Sequence, residues 1–131
     1  MLTWDFPPRS TAGTGAHVAG LAASLHRAGH DVVVSTVADR PAEIGAVAPA
    51  GVRVIRTMVD LPWLPPSEQV ARVASANHAV ARATIANHGE LEGWMPDVVH
   101  AHDWRVGWAA DTVAARHGVP LVLTMHGTER V

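Results

Sequence analysis

Apolar positions along this chain follow two periods in turn. Short runs of β-branched residues alternate with stretches where apolar residues recur every three or four positions. That alternation is the mark of βαβ units around a parallel sheet. Residues 1–4 predict the end of a first strand, and residues 5–15, rich in Pro and Gly, a loop. Residues 16–28 predict a helix, because Val18, Leu21, Ala22 and Leu25 share one face, and Gly29 stops it. Residues 31–37 carry Val32, Val33 and Val34, a strand buried on both faces. Residues 38–51 read as a loop, and the mixed charge of 52–57 predicts a half-exposed strand near the sheet edge.

The prolines of 61–66 break any regular element, and Ser67 is the expected N-cap of a long helix running to about His88. Residues 97–100 predict a short strand with 101–103 as its exit. Residues 104–117 predict a helix stopped by Gly118, with Trp108 turned onto the sheet. Residues 119–124 predict another buried strand, and 125–131 a loop. The sum is about five strands and three main helices, an α/β, Rossmann-like, doubly wound parallel sheet whose site lies at the carboxyl ends of its strands.

Composition narrows the chemistry. The 131 residues, 48% hydrophobic, fit one domain with a real core. A net charge of −2 gives no electrostatic case for nucleic acid. No apolar run approaches a membrane span, and no signal peptide is recognisable at the start. With no cysteine, disulfides, thiolate metal sites and a cysteine nucleophile are excluded. With no lysine, so are a phosphate-loop lysine and a Schiff base. The expected location is the cytoplasm, with peripheral contact with a membrane left open.

The chemically suggestive residues fall at strand exits. Ala12-Gly13-Thr14-Gly15 leads into a helix, where glycines let backbone approach a ligand and free N–H groups favour an anion. Position 18 is Val18, so the dinucleotide spacing G-x-G-x-x-G fails. Phosphate binding and a plain tight turn both remain open there. In His100-Ala101-His102-Asp103-Trp104 the two histidines point the same way at strand period. They could ligate a metal with His126 or Asp103 as third ligand, or simply pack and line a cleft. His126 precedes Gly127, which suits a side chain projecting into a cleft, though a surface histidine fits as well. Trp4, Trp63, Trp94, Trp104 and Trp108 could stack on a sugar, or pack core and hinges; His26, His30, His78, His88 and His117 read as solvated.

At these residues the chain resembles the N-terminal domain of a retaining, nucleotide-sugar-dependent glycosyltransferase of the GT-B fold, in family 4 with its glycogen and starch synthase relatives. Trp4-Asp5-Phe6-Pro7-Pro8 is similar to the family's W-[DE]-[FY]-P-P opening. Residues 12–18 resemble G-G-x-G-x-H-V, with Ala12 in place of the first glycine and Ala16 at a position often basic. Residues 96–104 resemble P-D-V-V-H-A-H-D-W, and residues 118–127 resemble G-x-P-x-V-x-T-x-H-G/N.

The resemblance implies roles. Asp103 and His126 would be catalytic, Asp103 positioning hydroxyls beside the reacting sugars and His126 facing the donor sugar. Gly13, Gly15, His17 and His102 would bind substrate, the glycines presenting backbone to the donor diphosphate and His17 lying on the acceptor side. The substrates would be a nucleotide-sugar and a glycan, lipid or small hydroxyl acceptor, with no metal and no other cofactor. It also implies that residues 1–131 form a single truncated N-terminal domain. The second, nucleotide-binding domain with its E-x7-E motif lies outside them, so this chain alone is not expected to transfer sugar. Two other classes stay in view. One is a non-catalytic α/β binding module. The other is a metal hydrolase on His100, His102 and His126, whose usual H-x-H-x-D-H spacing fails because Asp103 directly follows His102.

Overall fold

A computed structural model describes residues 1–91 and 93–127. Residues 128–131 of the loop expected after the last strand lie outside the described residues. The elements are β1 (Leu2–Thr3), α1 (Gly13–Arg27), β2 (Val33–Ala38), α2 (Pro41–Ile44), β3 (Arg53–Met58), α3 (Gln69–Glu90), β4 (Val99–His102), a 3-10 turn (Trp104–Val106), α4 (Gly107–His117) and β5 (Leu121–Thr124). All strand pairs are parallel and the order is β3-β2-β1-β4-β5. The chain runs outward from β1 to β3, then returns to the other side of β1 with β4. The sheet is therefore wound in two directions, and its switch point lies between β1 and β4.

Side-chain alternation gives the centre of the sheet two packed faces. On one, Val18 and Ala22 of α1 pack with Phe6, Val32, Val34 and Val52. On the other, Val80 and Ala81 of α3 and Ala109, Ala110 and Val113 of α4 pack with Leu2, Val37, Val99 and Ala101. Val99 and Ala101 thus face α3 and α4. His100 and His102, of opposite parity, take the α1 side. All six residues of β2 are buried, as the valine run predicts, and β3 is the partly exposed edge that its charges predict.

Several expectations are corrected. Helix α1 starts three residues earlier than its apolar stripe, because Ala12 C=O already accepts from Ala16 N–H at 3.4 Å. Gly13 and Gly15 therefore belong to its first turn rather than to a loop. Residues 41–44 form the one-turn α2 inside the expected loop, with Pro41 setting the first helical φ. Ser67 caps nothing: Glu68 N–H closes a turn onto Pro65 C=O, and the helix begins at Gln69. Strand β4 runs to His102, so His102 ends a strand instead of lying in its exit. Trp108 is 52% exposed, because α4 buries a stripe of small residues that allows close packing and Trp108 lies off it. Strand β5 is an exposed edge, not a buried strand: Leu121, Val122 and Leu123 are 38–46% exposed. An apolar run signals preference for burial, not a second neighbour; among the described residues β5 pairs only with β4.

Candidate active site

Parallel strands send every strand exit to the same edge of the sheet. The sequence-derived residues therefore gather there: Gly13 after β1, His102 and Asp103 at the end of β4, and His126 two residues after β5. The β4–β5 register pairs His102 with Thr124, and Asp103 N–H donates to Thr124 C=O at 2.8 Å, tying the two exits together. On the other side His102 pairs with Thr3 of β1, so the cluster sits at the switch point, where open α/β sheets bind ligands.

Three imidazoles meet at this edge. His102 is fully buried, whereas His17 and His126 are exposed. The ring of His17, from the second turn of α1, meets those of His102 and His126 edge-on, with centroids 5.8 and 5.1 Å apart. His102 and His126 lie stacked at 5.4 Å, with Nδ1 of His102 3.1 Å from Nε2 of His126. One nitrogen from each ring lies within 4.8 Å of the others. His100 lies against His102 at 4.1 Å, as strand period requires, but its Nε2 pairs with Thr124 Oγ1 at 2.8 Å. The trio is therefore completed by His17, not by His100.

Burial pushes His102 down to about 3, helped by His100, His126 and His17 around it. His100 is lowered too, by burial first and then by the N-terminal ammonium, His126 and His17. Both rings are neutral at pH 7, so each offers one donor and one acceptor nitrogen. His102 Nε2 is buried without a hydrogen-bond partner.

Asp103 has φ 75° and ψ 160°, a region that side chains other than glycine's rarely occupy. Its Oδ1 accepts from Trp104 N–H at 2.9 Å, starting the 3-10 turn. Such strain costs about 1–3 kcal/mol and concentrates at functional sites. Gly13 and Gly15 differ from one another. Gly13, at φ +54°, has open space where a Cβ would stand. Gly15 is buried, and a Cβ there would lie 2.5 Å from Ser10 C=O. The first-turn N–H groups of α1 receive no cap from the Ala12 side chain.

Sequence reasoning missed the braces behind this edge. Arg105 donates to Asp5, and Arg9 lies 3.9 Å from the other Asp5 oxygen. Asn77 of α3 accepts from Ala109 N–H and donates to Arg105 C=O, both at 2.7 Å, pinning the turn after Asp103. Opposite charges in two separate strand-exit motifs were the available signal for the first brace; a lone Asn in a helix gave none for the second. Of the tryptophans, Trp4 packs on the core and under Arg105, Trp94 sits against His88, and Trp63 is 73% exposed. His26, His30 and His78 are exposed, as read. His88 is buried rather than solvated, and His117 only half-exposed: His88 continues the buried stripe of α3 after Val80 and Thr84, and its Nδ1 is 3.1 Å from His117 Nε2.

A family model described as a glycosyl transferase 4-like domain matches residues 12–131. A glycogen synthase of Mycobacterium tuberculosis is 36% identical over 137 aligned residues, covering 98% of this chain and 33% of its own length. An uncharacterised glycosyltransferase of Methanocaldococcus jannaschii is 32% identical, covering 98% of this chain and 30% of its own. A D-inositol 3-phosphate glycosyltransferase of Xylanimonas cellulosilytica is also 32% identical, covering 100% and 32%. The chain thus spans about a third of the length of these curated relatives. Among the described residues, no helix is long and apolar enough to cross a membrane.

Proposed function

This chain belongs to the glycosyl transferase 4-like family, and from that premise we propose that it forms the acceptor-side domain of a retaining glycosyltransferase. The reaction moves a sugar from a nucleotide-sugar to a hydroxyl acceptor. The bond from the anomeric carbon to the donor diphosphate breaks, and the diphosphate leaves with the electron pair. The acceptor oxygen bonds the anomeric carbon and gives its proton to the departing diphosphate or to solvent. The observation that carries this reading is the convergence of His17, His102, His126 and a strained Asp103 at the β1–β4 switch point.

In this reading Asp103 orients hydroxyls of the reacting sugars, with its carboxylate fixed by Trp104 N–H. His126 faces the donor sugar, held by the buried neutral His102 behind it. His17 lies toward the acceptor. The uncapped first turn of α1, with Gly13 facing open space, offers N–H groups to the leaving diphosphate. A second Rossmann-like domain supplies the nucleotide pocket, so residues 1–131 alone do not turn over. The family resemblance supports a cytoplasmic location.

The test is transfer of labelled sugar from UDP-glucose and ADP-glucose by a protein in which this domain is joined to the second one. Transfer should fall about 100-fold or more in His126→Ala and Asp103→Asn. In isolated 1–131, NMR should show donor-dependent shifts at Gly13 and His126 without turnover. Transfer unaffected by both substitutions overturns the assignment. In the joined protein, donor binding without any transfer would favour the binding module instead.

A further inference from the structure

We propose that the cleft between β2 and β4, on the amino-terminal side of Met1, seats a short extended segment of the same polypeptide. That segment precedes Met1 and carries β1 on as a parallel strand. The inference comes from the sheet's own ladder and does not need the transferase reading.

Strand β1 pairs through Leu2 and Thr3, whereas β2 pairs with β3 from Val33 to Ala38. Beyond Met1 a cavity of about 650 Å³ separates β2 from β4. Val32 and Val33 line it on one side, Val98 and Val99 on the other. It passes through the plane of the sheet, for Leu25 of α1 lines it from one layer and Thr84 of α3 and Val113 of α4 from the other. An extended strand fills such a space by construction, because its successive side chains point to opposite faces.

The ladder sets the register. Leu2 stands opposite Ser35 and Ala101. The first residue before Met1 therefore falls between Val33 and Val99, the second between Val32 and Val98, and the third between Asp31 and Asp97. The first shares the α3–α4 face of Leu2 and the second the α1 face of Met1. Both faces are apolar, so both positions suit apolar side chains. The third lies at the mouth beside two exposed acidic residues, where a basic side chain fits.

The backbone points to the same occupant. Ser35 N–H donates to Met1 C=O at 2.8 Å, so Val33 N–H, two residues back, also faces the β1 side. Val99 N–H donates to Pro120 C=O at 2.9 Å on the β5 side, so His100 N–H turns the other way, into the cleft. A parallel strand brings the carbonyl of the second residue to Val33 N–H and that of the first to His100 N–H. Met1 N already donates to Val33 C=O at 2.7 Å, as a mid-strand amide does. Burial pushes the ammonium there down to about 5, whereas a peptide N–H has no charge to bury. A separate peptide in this register would end in a carboxylate buried against Met1 N. Continuity with the β1 ladder thus commits the occupant to the same polypeptide.

The test compares residues 1–131 with the same chain preceded by Arg-Val-Val or by Arg-Asp-Asp. We expect Arg-Val-Val to slow amide exchange at Val33 and His100 by about tenfold or more and to raise the urea midpoint. Arg-Asp-Asp, which sets carboxylates against both apolar layers, should do neither. N-terminal sequencing of the protein from the cells that make it should read apolar residues at the two positions before Met1. No gain in protection with Arg-Val-Val overturns the proposal, and so does equal protection by Arg-Asp-Asp. A natural protein that starts at Met1 overturns it as well, as does a free Arg-Val-Val peptide that protects the two amides as fully as the joined one. None of these readouts involves sugar transfer, so they fail or succeed apart from the functional reading.

Discussion

Arg105 Nη2 donates to Asp5 Oδ2 at 2.7 Å, joining the exits of β4 and β1 across 100 residues of sequence. The same guanidinium lies over the Trp4 ring, 5.5 Å from its centroid. One side chain thus braces two strand-exit motifs that flank the switch point.

Removing that brace should loosen the site more than the fold. The pair is about three-quarters buried, so Arg105→Ala should cost only about 1 kcal/mol, read as a shift in urea midpoint. Sugar transfer should fall about tenfold or more, chiefly in kcat, because the turn carrying Asp103 loses its anchor. Arg105→Lys keeps the charge but not the planar fork or the stacking, so it should recover only part. Unchanged kcat in Arg105→Ala would show that the brace is idle in catalysis.

The two glycines of the first turn of α1 should answer differently to alanine. A Cβ at Gly15 meets the backbone oxygen of Ser10 at 2.5 Å, and backbone cannot swing aside. Gly15→Ala should cost about 1–3 kcal/mol by overpacking. Gly13→Ala meets nothing but carries a Cβ at φ +54°, for about 1–2 kcal/mol. In the folded variants, Gly13→Ala should also weaken donor binding, because it stands where backbone faces open space. Parallel urea melts and donor titrations separate the two; equal effects on binding would contradict this division.

Acid should destabilise the fold through His88. Burial, then the neighbouring His117, lower its pKa to about 4, against an ordinary value of 6.5. The unfolded chain therefore binds the proton more readily. His88 contributes its full stability above pH 6.5, and this is lost as pH falls toward 4, by about 1.4 kcal/mol per pH unit. His88→Gln should make the pH dependence of the urea midpoint shallower over that window without removing it, because the buried His102 is lowered further still. A slope identical to wild type would place the acid sensitivity elsewhere.

Much of the architecture was legible because it follows local rules. The triple valine at the start of β2, Val32 to Val34, marked a central strand, and the arginines of β3 marked an edge. The shared face of His100 and His102 follows from strand period alone. What was hidden depends on the third dimension. Nothing near His17 in sequence says that the α1 face of β4 will bring it to His102 and His126. The pairing of Asp5 with Arg105 requires knowing that β1 and β4 are neighbours. The length of α2 is one turn, too short to leave a period, and Ser67 lost its cap because the prolines before it close turns of their own.

The last prediction concerns Asp103, where strain and chemistry share a residue. Its left-handed backbone disfavours any side chain, while its carboxylate caps the following turn. Asp103→Ala keeps the strain and loses the cap, so it should destabilise by about 1 kcal/mol. Asp103→Gly also loses the cap but relieves about 1–3 kcal/mol of backbone strain. The glycine variant should therefore be as stable as wild type or slightly more so, and clearly more stable than the alanine variant. Both should lose transfer about equally, since neither can orient a hydroxyl. A fold that tolerates glycine here yet loses transfer holds the strained aspartate for its carboxylate. If Asp103→Gly retained transfer, the carboxylate would be a turn cap only, and the strain would need another explanation.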